Sequence, residues 1–510
     1  LFVVNAALWG QARCRRLFAP SFRRRSYLWP RWVALRSIGF FFLSAFVSLH
    51  SQILGLIGSH GLRPVGLLLE ALARRQGDDV LFLRKESLGA AIRFWEVPSL
   101  LWLNHSDGAL TALVWLGILF SLLLIANVAP RVSIACCLVL FLSFISAAQE
   151  FGEYQSDGML LEAAAIGFFL APNGFRPKLG EHDPPSRAAL FLLKWEWFRI
   201  YFESGVVKLA SGDPSWRDFS AMDKYYENGP LPTWIGWYAQ QLPHWFHALT
   251  AFWTLALELV VIWAAFFPRR YRIALFFVVT AFQIGIIATS NYAFLNYLVL
   301  AFGVLLLDDD AFKKIRLPRP KLQPARISRM RIILGGSALS WIFAGTLGAF
   351  LFPGAPVLGW PAASLETMRI ANRYGLFAVM TPARYEIEFQ GSNDDAHWTA
   401  YPFRFKPQAL DEAPGIYAPY QPRFDWNLWF ASLRSVEENT WVITTEARLV
   451  QGEPSVLALF RDDPFHGKPP RHVRAMVYQY WMTDLATKRA TGNWWRRDEI
   501  APFCEEISTE

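Results

Sequence analysis

Charged residues are scarce in this sequence, at 18%, against about 25% in an ordinary soluble domain. Cysteine is scarcer still. Cys14, Cys136, Cys137 and Cys504 include no CxxC pair, which excludes an internal disulfide framework and a cysteine-built zinc site. No GxSxG, HExxH or P-loop string occurs, so the common serine-hydrolase, zinc-protease and nucleotide sites are excluded as well. His244 and His247 stand three apart after Pro243 with no acidic or cysteine ligand beside them, and they read as interfacial residues. The residues call for no metal and no cofactor. No internal repeat is visible, and LFVVNAALWG at the start is too short to span a membrane.

What is abundant is apolar. Hydrophobic residues make up 53% of the chain and 23 residues are Trp. They gather into runs of about 17–22 residues, the length a helix needs to cross a bilayer. About nine spans are expected, at 37–58, 109–128, 132–148, 157–171, 187–208, 247–266, 272–289, 292–307 and 332–352. The fourth and eighth are short. The expected architecture is a polytopic α-helical membrane protein with a soluble α+β or β-sandwich-like C-terminal domain. It divides into a basic segment (1–36), a transmembrane helical domain (37–352) and the soluble domain (365–510).

The net charge of +8 does not indicate nucleic acid. Residues 365–510 carry 16 Lys and Arg against 20 Asp and Glu, so the excess belongs to the membrane half. There it concentrates ahead of the first span, in RRYR (269–272) and between Lys313 and Arg331. Nine crossings put these three loops on one side, which the positive-inside rule makes cytoplasmic. Loop 58–108 departs from the rule with six basic residues, balanced by six acidic ones. The N-terminus is expected inside and the C-terminal domain outside.

In that domain YEIEF (385–389) alternates as a half-buried strand does, GSNDD (391–395) supplies a turn, and WTAYPFRF (398–405) reads as the returning strand. PYQPRFDWNLWFASL (419–433) suggests a helix capped by Asp425, and HVRAMVYQYWM (472–482) another strand.

Chemistry is concentrated in the fifth span. A charge at bilayer depth is costly and normally faces the bundle interior with a partner. Glu196, Arg199 and Glu203 fall within about 60° of one another on a helix and can form a ladder on one face. Lys194 and Lys208 project from the other face. Glu162, Glu258, Gln283, Asn291 and Asn296 are candidate partners from neighbouring spans, which together define an intramembrane polar site. Two readings of Lys208 stand: an anchor snorkelling to the outer interface, or a pocket lysine poised for proton transfer. The following loop, with Asp213, Trp216, Arg217, Asp218, Trp234 and Trp237, has the aromatic density of a headgroup-level surface.

These strings also carry a resemblance. DGMLLEA (157–163), FESGVVKLASGDPSWRD (202–218), PLPTWIGWYAQQLPHWFH (230–247), SNYAFLNYL (290–298), NRYGLFAVMT (372–381), APYQPRFDWNLWFA (418–431) and PPRHVRAMVYQY (469–480) resemble the lipase maturation factor family in order and spacing. The resemblance covers about residues 35–497. It implies a multi-pass protein of the endoplasmic-reticulum membrane, or of a bacterial inner membrane, that assists folding and assembly of secreted lipase-like clients without chemistry of its own. It implies the bilayer and an exported client as partners, met by the C-terminal domain, with Trp426, Trp429, Trp494 and Trp495 as candidate contacts. GVVKL (205–209) is also similar to a short stretch of the vitamin K-dependent carboxylase group. That likeness implies an alternative, a membrane-embedded enzyme acting on a lipid or lipid-soluble cofactor with Lys208 as base.

Overall fold

The computed structural model describes residues 26–79, 93–313, 317, 320, 329–351 and 363–509. The basic residues 13–25, much of the basic loop after Lys313 and the stretch 352–362 fall outside the described residues.

The membrane half is built on α1 (Leu28–Ile57), α2 (Asp107–Ile125), α3 (Pro130–Ala147), α4 (Gln155–Leu170), α5 (Arg187–Ala210), α6 (His244–Leu259), α7 (Arg269–Thr289), α8 (Leu295–Phe302) and α9 (Arg329–Leu351). Their ends follow local chemistry. Ser106 and Ser186 accept the N–H of Ala109 and Ala189 at the starts of α2 and α5, and Pro130 opens α3. The first N–H groups of α1 are capped from a distance, by the Asp309 carboxylate on Leu28 N (3.0 Å) and Trp29 N (2.8 Å).

Six helices among the described residues are long and apolar enough to cross a membrane: α1, α2, α3, α6 with its 3-10 continuation to Phe266, α7 and α9. That corrects the expected count of about nine. The other three helices form but fail the test for physical reasons. α5 carries five charged side chains between Lys194 and Lys208. α4 has 16 residues, and the apolar helix Leu295–Leu306 is shorter still. These three sit inside. α4 is buried on nearly all sides, whereas α2, α7 and α9 expose apolar side chains such as Trp115, Phe277 and Ile333, as lipid-facing helices do. Close approach is allowed by small residues: a methyl at Gly117 of α2 would run into the Phe46 ring of α1.

The C-terminal region is one antiparallel sheet with helices packed on it, so the β-sandwich-like alternative is corrected to α+β. Strands β1 (Arg384–Ser392), β2 (Thr399–Ala400), β3 (His472–Met482), β4 (Trp495–Pro502) and β5 (Ile507–Ser508) run in the order β2-β1-β3-β4, with β5 also on β3. The expected returning strand shrinks to two residues. Tyr401 N still reaches Phe389 O (2.9 Å), but Pro402 has no N–H for the ladder. Helices α10 (Arg423–Ala431) and α11 (Trp441–Val450) pack on β1 and β3. Asp425 does not cap α10. It lies in its first turn and accepts the N–H of Phe405 (3.2 Å) and Lys406 (3.3 Å), and burial pushes its carboxyl up to about 6.

One hydrophobic core runs from α1 through α5 into the sheet region without a break. A smaller cluster on the opposite side of β3 gathers Met476, Tyr478, Tyr480 and Trp495 around Trp237. The membrane half thus supplies a side chain to the core of the tail.

Candidate functional site

The polar residues of α5 form two separate centres. At the first, Arg199 is fully buried. Its guanidinium pairs with Glu162 of α4 and lies 3.5 Å from Glu203 one turn along α5. The surprise is the third partner, the tail segment 372–376. Arg199 Nη1 donates to Asn372 O (2.8 Å). Asn372 N (3.2 Å) and Tyr374 OH (3.0 Å) donate to Glu162 Oε2, and Tyr374 N donates to Glu203 Oε2 (2.7 Å). Gly375 N reaches Gln155 (3.2 Å) and Leu376 N reaches Ser204 Oγ (3.4 Å). Gly158 leaves the space that Asn372 fills. The carboxylate oxygens of Glu196 find no partner among the described residues, so its expected place in the ladder is corrected: it lies beside Arg199 without bonding it.

At the second centre, Lys208 Nζ donates to both oxygens of Glu258 on α6, at 3.0 and 2.8 Å, and lies 5.1 Å from the Trp216 ring centroid. Gly205 lets α6 approach, since a Cβ there would come within 2.9 Å of Glu258. Lys208 is 2% exposed, which overturns the snorkelling reading: its ammonium is satisfied within the bundle. In this geometry Nζ is held by both Glu258 oxygens. The pair borders an apolar cavity of about 320 Å³ walled by Tyr225, Leu242, Phe246, Phe282 and Ile286.

The other predicted polar residues also find partners. Asn296 donates to Gln283 (2.8 Å), which donates to the Tyr201 hydroxyl (2.8 Å). Asn291 binds the tail: its amide donates to Gly415 O (2.9 Å) and its oxygen accepts Tyr417 N (2.7 Å) and Ala418 N (3.1 Å). His244 bonds Asp223 and the buried His247 bonds Leu242 O (2.8 Å), so the two imidazoles serve different partners. Exposed Asp395 and Glu506 and the half-buried His472 bring their donor atoms within 4.8 Å of one another at the sheet.

The loop after α5 is only partly a surface. Arg217 and Asp218 are exposed and Trp234 is 44% exposed. Trp216 and Trp237 are buried, a correction, because each indole N–H bonds a tail carbonyl: Phe377 O and Trp494 O, both at 3.0 Å. Asp213 accepts Met380 N (2.7 Å). The expected exposed Trp surface is corrected too. Trp426, Trp429 and Trp495 are 7%, 9% and 1% exposed, and Trp494 is half-buried against Trp237 and Lys488.

Several contacts escape a reading of the sequence. Arg423 of α10 forms a bidentate pair with Asp157 of α4 (2.7 and 3.0 Å) with no exposed side-chain surface on either. Arg384 of β1 donates to Glu227 O and Pro230 O, each at 2.9 Å. Gln52 of α1 accepts Phe424 N (3.2 Å). A lone Arg inside the aromatic run APYQPRFDW is the one signal that points to Arg423. Chemically, the arrangement joins two regions through desolvated ion pairs; it presents no nucleophile with a base.

The comparisons with known proteins cover both regions. Residues 29–314 match the model described as the lipase maturation factor transmembrane domain, and residues 370–505 match the lipase maturation factor C-terminal domain. Lipase maturation factor 1 of Bos taurus is 30% identical over 525 residues, covering 96% of this chain and 91% of the relative. Lipase maturation factor 2 of Homo sapiens is 30% identical over 603 residues, covering 94% and 82%. No solved structure matches.

Proposed function

The chain belongs to the lipase maturation factor family, and from that premise we propose that it is a membrane-embedded maturation factor for exported lipase clients. The observation that carries the reading is the match of both regions, in order, to the two domains of that family. The buried ion pairs between them support a role in which bundle and tail act as one body. We place the C-terminal domain outside, in the lumen or periplasm, and the basic loops in the cytoplasm. In support, tail contacts among the described residues gather at the close of α1, the start of α4, and the loops after α5 and α7, and segment 372–376 reaches further along α4 and α5 to Glu162 and Arg199. We keep the proposed division at 1–36, 37–352 and 365–510. The setting is an endoplasmic-reticulum or bacterial inner membrane.

The test is recovery of active lipase. Cells lacking their own maturation factor, supplied with a secreted lipase and this chain, should release lipase of normal specific activity. Lipase secreted in equal amount but inactive would contradict the reading. The alternative of a Lys208-dependent enzyme draws support from the apolar cavity beside that residue, and its lysine is occupied by Glu258.

A further inference from the structure

A cleft of about 230 Å³ lies where the last turn of α4 meets the first turns of α3 and α9, at the other end of α4 from Asp157 and the tail. Among the described residues its charged side chains are Arg131 of α3, Arg331 of α9 and Asp183 of the loop before α5. Arg331 Nη2 donates to Asp183 Oδ2 at 3.0 Å, and Arg131 approaches the same oxygen at 3.9 Å. That oxygen also accepts Asn173 N (2.9 Å). The buried Arg31 donates to the carbonyls of Asp183 (2.5 Å) and Gly180 (3.0 Å). Three guanidiniums thus gather at one carboxylate, while Asp309, which also faces Arg31, is turned to the first N–H groups of α1. Like charges held this close repel one another and favour an added anion. The anion can reach them: the Arg131 and Arg331 side chains are 22% and 36% exposed, against 14% for Asp183. Arg131 is also fixed in place, by Ala171 O (2.6 Å) and the Asn173 side chain. One turn deeper along α9 the walls become apolar, with Phe168 and Phe169 facing Leu334 and Leu339. Ile333 and Leu334 are 61% and 62% exposed, so this face of α9 looks into the bilayer.

We infer that this cleft binds a phospholipid whose headgroup carries net negative charge. Its phosphate oxygens accept from Arg131 and Arg331, and an acyl chain lies between the α4 aromatics and α9. Guanidinium suits the task because its planar donors match phosphate oxygens. The excess of positive charge selects an anionic headgroup over a zwitterionic one. Basic clefts between spanning helices on the cytoplasmic side hold such headgroups, which agrees with the placement of the basic loops in the cytoplasm. The inference goes beyond the maturation role and rests only on the membrane setting.

The test uses the full chain in detergent and reads the shift in unfolding temperature on adding phosphatidylglycerol, phosphatidylcholine or inorganic phosphate. Phosphatidylglycerol should bind at least about tenfold tighter than phosphatidylcholine, and inorganic phosphate should give no shift at matched concentration. Arg131→Gln with Arg331→Gln should abolish the preference, so that both lipids bind alike. Arg131 also holds the loop through Ala171, so a second variant leaves the charges untouched. A Cβ at Gly335 would meet Phe169 at 3.5 Å, an ordinary contact, and Gly335→Leu fills the apolar part of the cleft. It should weaken phosphatidylglycerol about tenfold without lowering the unfolding temperature of the lipid-free chain. Equal shifts by the two lipids, or a preference that survives in both variants, would overturn the inference. A shift by inorganic phosphate as large as that by phosphatidylglycerol would overturn it too, by assigning the site to a free anion.

Discussion

Arg199 and Lys208 lie on one helix, both buried and both ion-paired, yet they are held in opposite ways. Arg199 sits among two carboxylates, a carbonyl and two aromatic rings, and three of these neighbours come from α4 and the tail. Lys208 has a single carboxylate and a ring, with a cavity beside them. The difference separates two uses of buried charge. A pair that stands alone can be replaced by apolar side chains, because desolvation cancels much of its attraction. A cluster whose carboxylates also bind a distant backbone cannot, since those amides lose their acceptors.

Substitutions at the two centres separate these uses. Arg199→Met should cost about 3–5 kcal/mol, read as a loss of thermal stability in detergent, and adding Glu162→Leu should not restore it. Restoration would place the Arg199 centre in the same class as the Lys208 pair. Lys208→Met should cost less, about 1–3 kcal/mol, because water can enter the adjacent cavity and solvate the carboxylate left behind. Adding Glu258→Leu should bring stability back to within about 1 kcal/mol of wild type. A double variant as unstable as the single one breaks the contrast from the other side. Tyr374→Phe removes only the hydroxyl that donates to Glu162 and should cost about 1.5–2 kcal/mol, measured as a lower unfolding temperature.

The gentlest probe is a buried carboxylate with no cation. Glu446 of α11 accepts from Cys504 Sγ (3.0 Å), and burial pushes its carboxyl up to about 7. The folded state therefore holds this proton over a range where the unfolded chain, near pH 4.3, has released it. Its contribution favours folding most below that lower value and declines as pH rises through about 7. Glu446→Gln should flatten the fall in unfolding temperature between pH 5 and pH 7, by an amount equivalent to about 1–2 kcal/mol. An unchanged pH profile would mean that Glu446 is hydrated rather than buried.

Much of this was legible in the sequence. The long apolar runs locate every main helix of the membrane half, because bilayer length is a local property. YEIEF falls within β1 and HVRAMVYQYWM coincides with β3, as their alternation demands. Glu196, Arg199 and Glu203 were expected on the inward face and are buried, whereas Lys208, expected on the other face, is buried as well. Glu162 and Glu258 stood among five candidate partners, but which charge each one meets, and the part played by the tail, were not legible. Glu162 lies 37 positions from Arg199, and Asn372 lies 173 away, so no helical period connects them. The tryptophans misled for a related reason. A Trp at an interface with a second region looks the same in sequence as one at a lipid or client surface, and here Trp216 and Trp237 spend their N–H groups on tail carbonyls. The span count erred because hydropathy cannot separate a helix in contact with lipid from one enclosed by other helices.

The Arg199 centre holds the tail against the bundle. Amide hydrogen exchange across residues 372–376 tests it most directly, since Asn372, Tyr374 and Leu376 each donate a backbone N–H to that region of the bundle. These amides should exchange slowly in the wild-type chain and much faster in Glu203→Gln, while Lys208→Met leaves them protected. Fast exchange in the wild type, or equal loosening by both variants, would contradict the claim.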